Sequence, residues 1–164
     1  MYDWTVLNQT VNQTLSSGTV GAPLFVRWTA AAANNTLELK PLLAEMSACA
    51  ESWLSARPRR VYATGSADAG HLSLALEYEN GQSALLAISL AHDHPSMNLI
   101  ILGARGAIYQ ADSEVTAPAP NLAADKDEGM QHASLLSTPR MVAAIDKSLF
   151  SQQPVLLSAE GDQR

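Results

Sequence analysis

Apolar residues recur at two different periods along this chain, and the change of period divides it into helices and strands. Trp4, Leu7, Val11 and Leu15 are spaced by three or four, which predicts a short amphipathic helix that Gly18 ends. A second stripe at the same period, Leu42, Leu43, Met46, Cys49, Ala50, Trp53 and Leu54, predicts a longer helix from about Leu39 to Ser55, with Pro41 in its first turn. Between them, Leu24 to Trp28 reads as a strand, and Ala30 to Thr36 as a loop rich in Ala and Asn.

Beyond Ser55 the period falls to two. Strands are predicted at Val61 to Ser66, Leu72 to Tyr78, Ala84 to Ala91 and Met97 to Leu102, with a short one at Ala107 to Gln110. Asn80-Gly81 supplies the positive φ angles of a tight hairpin, and Gly103-Ala104-Arg105-Gly106 reads as another turn. Alternation in Leu72 to Tyr78 and Leu85 to Leu90 places larger apolar groups on one sheet face and leaves the other available. Ala117 to Gly129, rich in Pro, Ala and Asp, reads as irregular. Thr138-Pro139 opens a last helix through Met141, Val142, Ile145, Leu149 and Phe150, followed by the apolar Pro154 to Leu157. The pattern predicts a single α+β domain over residues 1–164, with an open, predominantly antiparallel sheet and helices on one face.

This order resembles the C-terminal substrate and oligomerisation domain of the Gfo/Idh/MocA oxidoreductases, the family of glucose-fructose oxidoreductase and inositol dehydrogenase. The residues carrying the resemblance are Ser17-Gly18-x-x-Gly21-x-Pro23 before the first strand, Ser52-Trp53-Leu54 at the helix end, and Arg60-Val61-Tyr62-Ala63-Thr64-Gly65. Leu74 to Gly81 and Leu99 to Ile108 complete it. The resemblance implies a sheet that pairs with another subunit. It also implies that the Rossmann half, which holds the nicotinamide cofactor on a Gly-rich loop, is missing from this sequence. Family members carry an Asp four residues and a His seven residues before the Trp-Leu that ends the long helix; here those positions hold Cys49 and Met46. A thioether and a neutral thiol cannot move the substrate proton as an Asp and a His would. Catalytic and cofactor-binding residues are therefore expected to be absent, and no cofactor is expected.

Bulk properties narrow the classes further. The 164 residues are 47% apolar and only 16% charged, which suits a folded core and a surface part-covered by a partner. A net charge of −6, with no basic cluster beyond Arg57, Arg59 and Arg60, argues against nucleic acid. One cysteine, no leader pattern and no apolar run of membrane-spanning length point to a cytoplasmic protein, so the Asn-x-Thr triplets at Asn8, Asn12 and Asn34 carry no glycosylation signal.

The remaining candidate chemistry is sparse. Lys40-Pro41 reads as a helix start, and Gly103 to Gly106 lacks the following helix that a phosphate loop needs. His92 and His94, two apart at a strand end, would share a face and form a weak candidate metal pair, with His71 or Asp112 as a third ligand; no metal is expected. Glu45 and Glu51 fall on different faces of the long helix and read as solvated or capping charges. Two functions lead, with a metal-dependent binding or lyase-like site at His92 and His94 as a third and weaker class. The leading one is a non-catalytic, stand-alone relative of the oxidoreductase domain, acting in oligomerisation, partner docking or sugar-like ligand binding. The alternative is the substrate-binding part of an NAD(P)-dependent sugar or polyol oxidoreductase, completed by a Rossmann domain in the same chain or a separate protein.

Overall fold

A computed structural model of the chain describes residues 4–31, 38–90, 95–111 and 131–157, the first seven of the last span as backbone only. Helix α1 (Trp4–Ser16) leads through the Gly18 and Gly21 turn into strand β1 (Pro23–Ala31). Helix α2 (Leu39–Leu54) is followed by β2 (Pro58–Ser66), β3 (His71–Tyr78), β4 (Ser83–Ser89), β5 (Ser96–Gly103) and β6 (Ala107–Ala111). Helix α3 (Gln131–Ser151) and the two-residue strand β7 (Val155–Leu156) close the described chain.

The strands form one seven-stranded sheet in the order β6-β5-β1-β4-β3-β2-β7. Every pairing is antiparallel except that of β1 with β4, so the architecture is the expected open, predominantly antiparallel sheet. Strand alternation sends Val26, Trp28, Leu72, Leu74, Leu76, Leu86, Ile88, Leu99 and Ile101 to the same face, where they are buried under the helices. α2 lies on this face with Leu43, Met46, Ala50, Trp53 and Leu54 inward. Burying each such side chain contributes about 1.5–3 kcal/mol, which makes this layer the dominant source of stability.

Three tryptophans knit the helices to the sheet. Trp28 of β1 meets Trp4 of α1 edge-to-face with centroids 4.7 Å apart, and lies 5.2 Å from Trp53 of α2. The Trp53 indole donates to Asn8 Oδ1 at 2.6 Å, so α1 is tied to α2 by a polar bond as well as by Leu7 and Val11. The turn before β1 is fixed by Arg105, whose guanidinium donates to the Gly18 carbonyl, while the Arg105 N–H donates to Val20 O at 2.9 Å.

Several expectations are corrected. α3 begins at Gln131, not at Thr138, and Pro139 lies inside it; the periodic signal read from Met141 onward covers its second half. Phe150, counted on the packed stripe, is 94% exposed, and the buried position beside it belongs to Ser148. The β3–β4 connection is a four-residue loop from Glu79 to Gln82, and only Gly81 has positive φ, so it is wider than the tight Asn-Gly hairpin. β4 ends at Ser89, short of Ala91, because the partner ladder on β3 stops at His71. The Ala117 to Gly129 segment and most of the Ala30 to Thr36 loop fall outside the described residues.

Ser148 shows how the sheet edge is finished. β7 covers β2 only opposite Arg60 and Val61. Farther along β2 the Ala63 N–H donates to Ser148 Oγ at 2.9 Å, and that hydroxyl donates to the Gln153 carbonyl, also at 2.9 Å. One fully buried hydroxyl thus stands in for a strand and locks α3 to the sheet edge.

Candidate functional site

Two regions carry the candidate chemistry and contacts: the Met46 to Cys49 stretch of α2, and the sheet face opposite the described helix residues. On α2, Met46 is 0% exposed, enclosed in the core cluster. Cys49, one turn on, is partly buried; desolvation, reinforced by the neighbouring Glu45 carboxylate, pushes its thiol up to about 11. The thiol is therefore neutral and un-nucleophilic at physiological pH. Glu45 is itself raised by burial. Glu51 is raised by burial too, offset by Arg57 and Arg140, and both carboxylates are more enclosed than the solvated charges expected. The nearby Tyr78 hydroxyl is buried, and desolvation together with Glu51 raises it well above the usual phenol range. Lys40 forms an ion pair with Asp146 of α3, a helix-to-helix contact.

His92 and His94, the weak metal candidates, and Asp112 lie outside the described residues. His71 Nε2 is 3.1 Å from Ser73 Oγ on its own strand, and among the described residues no group of three His, Cys, Asp or Glu is placed to hold a metal ion.

The uncovered face is built by the alternate residues of the same strands. Pairing registers align Tyr62 of β2, Ala75 of β3, Leu85 of β4, Arg27 of β1, Ile100 of β5 and Tyr109 of β6 in one row across the sheet. The adjacent row runs Leu156, Arg60, Glu77, Ser83, Phe25 and Leu102. Leu85 is 47% and Tyr109 72% exposed, and Tyr62, Leu102 and Leu156 are exposed as well. Single exposed apolar residues are ordinary, but here three of them, Tyr62, Leu85 and Tyr109, share one row with the half-buried Ala75 and Ile100. Alternation in the sequence foretold a free face. It did not foretell this row, because row membership depends on register, and the parallel β1–β4 pairing has no local signal.

Two ionic groups interrupt the face. Glu77 lies 3.2 Å from Arg60 and 3.9 Å from Arg59. Arg27 is exposed at the centre of the apolar row, and among the described residues it has no ion-pair or hydrogen-bond partner.

Comparison with solved structures identifies the fold. The chain superimposes on GenD2 from gentamicin A biosynthesis with a TM-score of 0.68 at 12% identity, covering 93% of this chain and 60% of that one. The fold is that of the C-terminal domain of Gfo/Idh/MocA-type dehydrogenases. Within that group, the myo-inositol dehydrogenase of Corynebacterium glutamicum gives a TM-score of 0.66 at 10% identity, covering 93% of this chain and 61% of its own. The Lactobacillus casei enzyme, solved with NAD(H) and myo-inositol, gives 0.63 at 12%, covering 95% and 60%. This chain therefore spans about 60% of the length of these solved chains. No family model and no curated protein sequence matches it. No helix among the described residues is long and apolar enough to cross a membrane.

Proposed function

We propose that this chain is the association module of a Gfo/Idh/MocA-type protein, pairing with a second copy through its uncovered sheet face and supplying no proton-transfer group from α2. The observation that carries the reading is the apolar row Tyr62–Ala75–Leu85–Ile100–Tyr109, interrupted only by Arg27, on the face opposite the one against which the described helix residues pack. Two such faces packed about 10 Å apart would interdigitate as the layers of a β-sandwich do. The enclosed Met46 thioether and the neutral Cys49 thiol agree with the non-catalytic half of the reading.

Sedimentation velocity on the purified chain tests it. The expected result is a dimer that Leu85→Lys converts to monomer with an unchanged far-UV circular dichroism spectrum. A wild-type chain that stays monomeric across the micromolar range overturns the proposal.

A second reading is favoured by coverage: nearly the whole chain matches a part, about 60%, of two myo-inositol dehydrogenases, one of them solved with NAD(H). Under it the chain is the substrate-side domain of a sugar or polyol oxidoreductase, completed by a nucleotide-binding domain in the same or another chain. Cofactor reduction with myo-inositol or a related polyol, appearing only when this chain and such a domain are combined, would establish that reading in place of the non-catalytic one.

A further inference from the structure

Arg27 is the one charge on the uncovered face that has no partner among the described residues, and it stands in the middle of an apolar row. A guanidinium there is harmless in water and costly once a second sheet covers it, unless the covering surface brings a carboxylate. Among the described residues, the only strand carboxylate on this face is Glu77. The sheet order allows the two to meet. β4 is the central strand, with β6, β5 and β1 on one side and β3, β2 and β7 on the other. A two-fold axis running along β4 above this face would set β1 of one copy against β3 of the other. In the row through Leu85 it places Arg27 opposite the small Ala75 of the second copy, Ile100 opposite its Tyr62, and Leu85 against itself. Glu77 is two residues along β3 from Ala75, about 7 Å, within reach of the long arginine stem leaning over the alanine.

We infer that in the self-associated form Arg27 of each copy pairs with Glu77 of the other, and that these two symmetric ion pairs fix the register of the sheets. The inference rests on the association proposed above. Glu77 keeps the capacity for it: its contacts to Arg60 and Arg59, at 3.2 and 3.9 Å, leave lone pairs on both oxygens. The result is an Arg–Glu–Arg triad closed across the interface. Its worth lies in orientation more than in raw affinity, since an apolar face alone would tolerate slipped pairings.

The test is a charge swap read by sedimentation equilibrium at low and high salt. Arg27→Glu and Glu77→Arg are each expected to raise the dimer dissociation constant on the order of tenfold or more, and the double variant to recover most of that loss. Arg27→Leu reads the alternative, because a purely apolar contact would be tightened by it. If Leu85→Lys dissociates the dimer but the single reversals leave it unchanged, or the double variant is as weak as their sum, the ion pair is refuted and the association stands. If the wild-type chain is monomeric, or Leu85→Lys leaves the dimer intact, the sheet-face reading itself falls.

Discussion

Replacing Ser148 by alanine removes one oxygen atom, and the structure says this should be among the costlier single-atom changes in the chain. The hydroxyl accepts from the Ala63 N–H and donates to the Gln153 carbonyl, both at 2.9 Å, and the side chain is fully buried. Alanine fits the same space, so no clash offsets or obscures the effect. Two backbone groups lose their partner together: the buried Ala63 N–H at about 1–3 kcal/mol, and the carbonyl of exposed Gln153 at little, because water can take the place of the hydroxyl. A net loss of about 1–3 kcal/mol follows, which for a chain of this length lowers Tm by roughly 2–12 °C. Urea unfolding measures the first figure and calorimetry the second. Native-state hydrogen exchange supplies the local signature: the Ala63 amide should lose protection while the amides of β4, at the sheet centre, change only in step with global stability. A loss below about 0.5 kcal/mol with Ala63 still protected would refute the claim that this hydroxyl completes the sheet edge.

Two further outcomes follow from the geometry. A β-carbon at Gly103 would run into the Val20 carbonyl oxygen, at the point where the β5–β6 turn meets the turn before β1, so Gly103→Ala should cost about 1–3 kcal/mol in urea unfolding; a neutral variant would mean the two turns are not in contact. Because folding raises the Cys49 thiol from 9.0 to about 11, the neutral form is the one the fold favours. That contribution is complete below pH 9 and is lost as pH climbs toward 11, by up to ~2 kcal/mol. Cys49→Ala should flatten this part of the stability profile, and an unchanged slope between pH 9 and 11 would contradict the assignment.

Most of the secondary structure was legible because it is written in local periods. The 3.6-residue stripe from Leu42 to Leu54 became α2 to within a residue, and the period-two stretches became β2 to β6. What escaped was whatever a distant segment decides. Pro139 looked like a helix start because it cannot donate to the preceding turn, yet α3 extends upstream of it to Gln131. Ser148 was passed over as polar, since nothing nearby in the chain announces that Ala63, eighty-five positions earlier, will need its oxygen. Met46 and Cys49 were found by counting along one helix. Arg27 was not singled out, because its isolation appears only once Leu85 and Ile100 are known to flank it.

The place of β1 in the sheet governs when this protein can fold. It is the first strand of this sheet to be made, yet its two neighbours are β4, complete only at Ser89, and β5, complete only at Gly103. While the ribosome is still short of Ser83, both edges of β1 stand bare and Val26 and Trp28 have no layer to enter. A nascent or truncated chain ending in that interval carries an open hydrogen-bonding template beside a tryptophan, the combination that recruits other chains. Folding of this domain is in that sense a late event in its synthesis, triggered by the arrival of β5.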